Sequence, residues 1–224
     1  MTEKSASDSA DRLKNVAFER QIENPRFIKP LRMLFERKGL KLQWELAFEG
    51  DSASTVIYHV ERKQLLFVRQ FRPAVFARAV MRLQENRDKQ LEEVDFEKYP
   101  LSHGTTLELC GGLMDKPGLS PKELAIEECY EELGFRPKAE NVEFIQALTS
   151  VGSSGAIQHL FYATVNEADR INQNSGNEDE GEFIEPVYLD IDKLDQAMNG
   201  SEIVPPIFSF GLCWFINNKK HLYT

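Results

Sequence analysis

Cysteine and histidine are scarce in this chain, and neither is spaced for metal chemistry. The three cysteines, Cys110, Cys129 and Cys213, are odd in number and stand in apolar surroundings. No spacing matches a zinc site, and the expected state is buried, reduced thiols of a cytosolic, cytoplasmic protein. The four histidines, His59, His103, His159 and His221, are scattered, which argues against a histidine-based metal site. Positive charge is also in deficit. Lys and Arg total 27 against 36 Asp and Glu, a net charge of −9, which argues against nucleic acid held on a broad basic surface. An anionic small substrate stays open, because a bound metal and a few local arginines set the field inside a cleft. No apolar run approaches membrane-crossing length, so no membrane partner is expected. The opening MTEKSASDSADRLKN has no hydrophobic signal core, and residues 1–20 are expected to be a disordered tail. There is no internal repeat.

What is present is an ordinary globular composition, 42% hydrophobic and 28% charged over 224 residues. That length allows one sizeable core, or a core with a small appended subdomain. Residues 27–35 and 41–48 flank a charged turn and read as a hairpin, with Leu40, Leu42, Trp44 and Leu46 on one side. Residues 54–59 and 64–70 read as two more strands. The stretch 82–99 is very polar and reads as a surface insertion, placed at about 80–104. Strands are expected at 106–110, 144–150, 160–165 and 183–189, and helices at 191–199 and 206–218. Strands, an embedded helix, strands again and terminal helices give an α+β or layered mixed domain.

The most informative stretch is 111–135, GGLMDKPGLSPKELAIEECYEELGF. Ser120, Pro121 and Glu123 supply an N-cap, a first-turn proline and a capping box, and Gly134 supplies the C-terminal stop. Leu124, Ile126, Cys129, Tyr130 and Leu133 are expected on its buried side. The helix carries Glu128, Glu131 and Glu132 side by side, and no Lys or Arg lies between Glu123 and Gly134. The dipole disfavours acids near a C-terminal end. Two readings are open at this point: a solvated acidic face, the usual fate of a charge run, or a site for a hard divalent cation, which takes oxygen ligands.

The same segment resembles the signature of the Nudix hydrolases, G-x5-E-x7-R-E-U-x-E-E-x-G-U, where U is aliphatic or aromatic. Gly112 matches the opening glycine, and Glu128, Cys129, Glu131, Glu132, Gly134 and Phe135 match the closing half. One residue is inserted in the turn at Lys116–Gly118, Leu119 stands where the first Glu is expected, and Glu127 replaces the Arg. FVRQFRPAV at 67–75 and ELCGGLMD at 108–115 resemble the ADP-ribose and nucleotide-sugar pyrophosphatase branch of the family. The likeness runs from about Phe27 to Phe215. It implies a Nudix fold, a mixed sheet between helices, with an N-terminal β-subdomain at 21–50 and the hydrolase domain at 51–224.

The resemblance also implies roles. The Gly111 carbonyl, Glu128, Glu131 and Glu132 would ligate Mg²⁺, or Mn²⁺ in its place. Glu182, with Glu180 second, would be the general base, within an acidic run at 177–186. Arg72 physically suits a diphosphate, since a guanidinium gives paired hydrogen bonds to phosphate oxygens; a surface ion pair is the alternative. Trp44 reads as core from its alternation, whereas the resemblance makes it a base-stacking surface in a homodimer. Glu108 could reach the metal site or form a structural ion pair. The implied reaction splits the diphosphate bridge of a nucleotide sugar, with UDP-glucose giving UMP and glucose 1-phosphate. ADP-ribose, giving AMP and ribose 5-phosphate, is the first alternative. A catalytically weak nucleotide-sugar binding module is the second, supported by Glu127 and Leu119.

Overall fold

The computed structural model describes residues 12–172 and 183–222. Strands β1 (Lys29–Arg37) and β2 (Leu40–Phe48) form an antiparallel hairpin that sets Met33 opposite Trp44. The hairpin stands apart as its own two-stranded sheet, with Leu34, Leu40 and Trp44 exposed. The Ala47 N–H donates to the Ser153 carbonyl at 3.0 Å, tying the hairpin to the loop at 150–156.

The main sheet is built around a gap. Strands β3 (Ser52–His59) and β4 (Gln64–Phe71) pair only near their turn, Ile57–His59 against Gln64–Leu66. Beyond that the chain at 105–113 runs between them. Its first half, β5 (Thr105–Glu108), pairs with β4, and its second half, β6 (Cys110–Leu113), pairs with β3. A single strand was expected here; two form because the chain changes partner at Leu109. Strands β7 (Val142–Thr149) and β8 (Ile157–Val165) extend the other edge of β3, with β8 parallel to it. The outer edge of β4 is covered by β9 (Ile184–Asp190).

Alternation along the central strands sends side chains to two opposite layers. Val56, Tyr58, Leu65 and Phe67 pack with Phe208, Leu212 and Phe215. Ile57, Leu66 and Val68 pack with Cys129 and Leu133, while Ala53 meets Leu124 and Ala125. Four α-helices occur among the described residues: α1 (Pro73–Met81), α2 (Pro121–Leu133), α3 (Leu194–Asn199) and α4 (Pro206–Asn218). One face of the sheet carries α2 and the other carries α3 and α4, the layered α+β arrangement expected. Each fully buried Phe or Leu in these layers stabilises the fold by about 1.5–3 kcal/mol. Among the described residues no helix is long and apolar enough to cross a membrane.

Three expectations need correction. The insertion is less purely a polar surface segment than its composition implies. Val94 and Phe96 are buried against Phe76 and Val80 of α1, and Asn86 is buried with its Nδ2 donating to the Val80 carbonyl at 3.1 Å. Residues 12–20 are not a free tail, because Leu13 and Val16 pack on that same cluster and Arg20 Nε donates to Glu92 at 2.8 Å; residues 1–11 lie outside the described residues. Finally, Cys110 and Cys129 are buried but Cys213 is exposed, on the solvent side of a helix whose Leu212 and Phe215 point inward.

Candidate active site

The site is a clasp between β6 and α2. Helix α2 starts as its sequence dictates: Ser120 Oγ accepts from the Glu123 N–H at 3.3 Å, and Glu123 accepts from the Ser120 N–H at 2.8 Å. It stops at Gly134, whose φ of 75° lies in the left-handed region that glycine adopts without steric cost. Between those ends the buried stripe is Leu124, Ala125, Glu128, Cys129, Glu132 and Leu133. Ile126 and Tyr130, expected inside, are only half-buried. Two of the three aligned acids have taken inward positions. Glu128 is 9% exposed and Glu132 is 4% exposed.

Both acids close on the glycine pair of β6. The Gly111 N–H donates to Glu132 Oε2 at 2.9 Å. A Cβ added at Gly112 would stand 2.5 Å from Glu128 Oε1, and one at Gly111 would stand 2.2 Å from the Ala53 carbonyl oxygen. At Gly111 the contact is with fixed backbone, so close approach requires glycine there, whereas a side chain at Gly112 would push the Glu128 carboxylate aside.

Glu131 behaves differently. Its side chain is 40% exposed, and both its oxygens take the Lys116 ammonium at 2.6 Å, with Lys116 Nζ also 4.0 Å from Glu128 Oε1. Glu127, at the position where the signature has Arg, is paired with Arg136 at 2.9 Å and 3.2 Å. The Arg136 guanidinium also lies 4.8 Å from the centre of the Tyr130 ring. Cations that the acidic stretch from Glu123 to Leu133 lacks therefore arrive from the turn before the helix and the segment after it. Spacing along the helix could not reveal either one; the extra residue in the turn at Lys116–Gly118 was the only sequence hint. Among the described residues, no three His, Cys, Asp or Glu side chains converge as a metal-holding group. The donor set nonetheless fits a hard divalent cation. It offers two buried carboxylates on one helix face, a third one residue away, and a side-chain-free glycine backbone against them.

Arg72 and Glu108 form a bidentate pair just upstream. Arg72 Nε donates to Glu108 Oε1 at 2.8 Å and Nη2 donates to Oε2 at 2.7 Å. The Thr106 hydroxyl adds a bond to Oε1 at 2.6 Å. Burial pushes the Glu108 carboxyl up, but Arg72 and Thr106 outweigh it and hold the group below its ordinary value. Of the two roles left open for Glu108, the structure displays the ion pair. Arg69 is committed elsewhere, to Glu185 at 2.8 Å and Glu202 at 2.7 Å. Trp44 is 61% exposed on the hairpin, so no core surrounds it, contrary to the reading from alternation. Glu180 and Glu182 lie outside the described residues.

No protein-family model matches the chain. The uridine diphosphate glucose pyrophosphatase NUDT14 of Bos taurus is 33% identical over 217 residues, spanning 92% of this chain and 96% of its own length. The protein of the same name from Mus musculus is 29% identical over 202 residues, 85% of this chain and 89% of its own. The GDP-mannose pyrophosphatase of Cronobacter sakazakii is 30% identical over 136 residues, 61% of this chain and 59% of its own. The chain belongs to the Nudix hydrolases. In this Nudix hydrolase two of the three signature acids, Glu128 and Glu132, lie in the β6–α2 clasp, and ion pairs form at Glu127 and at Lys116.

Gly112→Ala should leave the circular dichroism spectrum unchanged and cut nucleotide-sugar hydrolysis about 100-fold, the cost of misplacing a reacting group by about 1 Å. Wild-type turnover in that variant would contradict the clasp. A pH-dependent outcome follows from Glu108. Its folded value lies below its unfolded one, so its pairing stabilises above the ordinary Glu value of about 4.3 and is lost as pH falls through the folded value. Glu108→Gln should therefore lower the melting temperature at pH 7, with the difference from wild type vanishing at the acid end. Equal losses at both ends would mean the carboxylate charge is not what Arg72 holds.

Proposed function

We propose that this Nudix hydrolase is a metal-dependent UDP-glucose pyrophosphatase. Water adds across the P–O–P bridge, and the products are UMP and glucose 1-phosphate. The observation that carries the reading is the buried pair Glu128 and Glu132, closed on Gly111 and Gly112. Two carboxylates buried together on one helical face are well placed to ligate a hard cation, whose charge would offset the several kcal/mol that burying each one costs. The near full-length likeness to proteins named UDP-glucose pyrophosphatase supports the choice of sugar nucleotide.

Glu128, Glu131, Glu132 and the Gly111 carbonyl would hold Mg²⁺ or Mn²⁺. Such an ion, when bound, supplies charge neutralisation of the diphosphate and a lower pKa for water beside it. Arg72 presents its guanidinium to the phosphates in an orientation set by the planar contact with Glu108. Glu182, or Glu180, takes the proton from the attacking water. Glu127, already paired with Arg136, holds the outer side of α2 and needs no arginine at its own position.

The exposed hairpin supports a homodimer. Leu31, Met33, Leu40 and Trp44 share one face of the hairpin and leave an exposed apolar surface, which a second copy would cover, bringing Trp44 to stack on a nucleobase. The buried Cys110 and Cys129, carried as free thiols, suit a cytoplasmic protein.

Chromatography of the products from UDP-glucose, ADP-ribose and GDP-mannose, each with Mg²⁺, tests the reading. UMP and glucose 1-phosphate should form with the highest kcat/KM, and Glu132→Gln should abolish turnover with folding intact. Faster AMP release from ADP-ribose would keep the chemistry and replace the substrate. Absence of product from all three would leave a nucleotide-sugar binding module.

A further inference from the structure

The turn between β6 and α2 delivers a positive charge into the acid cluster. Lys116 lies in the segment that is one residue longer than the family signature. Its ammonium bridges both oxygens of Glu131 at 2.6 Å and faces Glu128 Oε1 at 4.0 Å. Glu128 is buried, whereas the Lys116 and Glu131 side chains are each about two-fifths exposed. The lysine thus reaches one carboxylate at the rim and approaches a second at the floor. A lysine ammonium is a compact point charge on a flexible stem, so it can substitute for a cation and can also swing away.

Two features of the clasp make this substitution consequential. Glu128 and Glu132 are buried against the glycine pair, Glu132 accepting from the Gly111 N–H at 2.9 Å and the Glu128 carboxylate filling the space beside Gly112. Glu131 is the adjustable member of the set, and it is the one that Lys116 holds. Any ion drawing on all three acids must take Glu131 from the lysine.

We propose that Lys116 is a tethered counter-cation of the metal site. It occupies Glu131 when the metal is absent, and a divalent ion displaces it on binding. The inference rests on the metal-dependent reading of the same site. A half-exposed ion pair shifts an equilibrium by about 1.4- to 5-fold, enough to tune metal affinity without blocking it. Lys116 is accordingly a positioning residue, acting on substrate turnover only through Glu131 and the ion.

The test titrates purified wild type, Lys116→Gln and Lys116→Met with Mn²⁺ alone, reading free Mn²⁺ by electron paramagnetic resonance. Both substitutions should tighten Mn²⁺ binding about 2- to 5-fold. They should also lower the melting temperature of the metal-free protein and enlarge its rise on adding Mn²⁺. Lys116→Arg, which keeps the charge, should stay close to wild type. Lys122→Gln removes an equal charge from the first turn of α2, about 9 Å along the helix from Glu128, and should leave the affinity unchanged. Equal Mn²⁺ affinity in wild type and both uncharged variants would overturn the proposal while leaving the metal site standing. A raised KM with unchanged Mn²⁺ affinity would reassign Lys116 to the substrate. Failure of the wild type to bind Mn²⁺ at all would remove the metal-dependent reading and this proposal together.

Discussion

A Cβ at Gly112 would occupy the space that the Glu128 carboxylate fills, and the site depends on that space being left open. Because Gly112 has no Cβ, α2 sits low enough on β6 for a carboxylate to fill the vacated volume. The same closeness lets the Gly111 N–H reach Glu132. A wider separation would leave both acids in solvent, as Glu131 is, and their charges would be screened by water. The splayed sheet prepares the contact. Strand β6 fits along β3 only because β3 and β4 part beyond Ile57–Leu66, and that opening sets the glycine pair beneath the helix.

Charge balance around α2 is achieved from outside the helix. Its acids lie close together and near the negative end of the helix dipole, an unfavourable arrangement in isolation. Lys116 and Arg136 flank it from either side, one on Glu131 and the other on Glu127. The two pairs have different consequences. Arg136 is also stacked on Tyr130 and locks the outer face, whereas Lys116 holds the one acid that faces both solvent and the site. Glu127 and the turn at Lys116–Gly118, two places where the chain departs from the signature, thus each carry an ion pair, while Glu128 and Glu132 stay buried.

Local hydrogen bonding made part of this legible in the sequence. Ser120, Glu123 and Gly134 specify the ends of α2 through contacts within four residues, and the structure forms them as expected. Strand alternation placed the central sheet for the same reason. The inward turn of Glu128 and Glu132 was not legible, because a periodicity argument counts carboxylates as polar and assigns them outward. Helix α1 went unread, since its two buried residues, Phe76 and Val80, are too few to show a period. The docking of residues 12–20 on the insertion and the reach of Lys116 are non-local, and composition points the wrong way for the first. Arg72 and Glu108 were both singled out, but their pairing appears only once β4 and β5 are set in register.

The proposed metal-dependent hydrolytic centre is Glu128 and Glu132 closed on Gly111. Anomalous diffraction at the manganese edge from crystals soaked in Mn²⁺ tests it most directly. A metal centre there gives a peak within coordination distance of Glu128 and Glu132, about 2–2.6 Å for hard cations with oxygen ligands, with the Lys116 ammonium withdrawn from Glu131. Fully soaked crystals with no peak against those carboxylates, or with manganese bound only elsewhere, would contradict it.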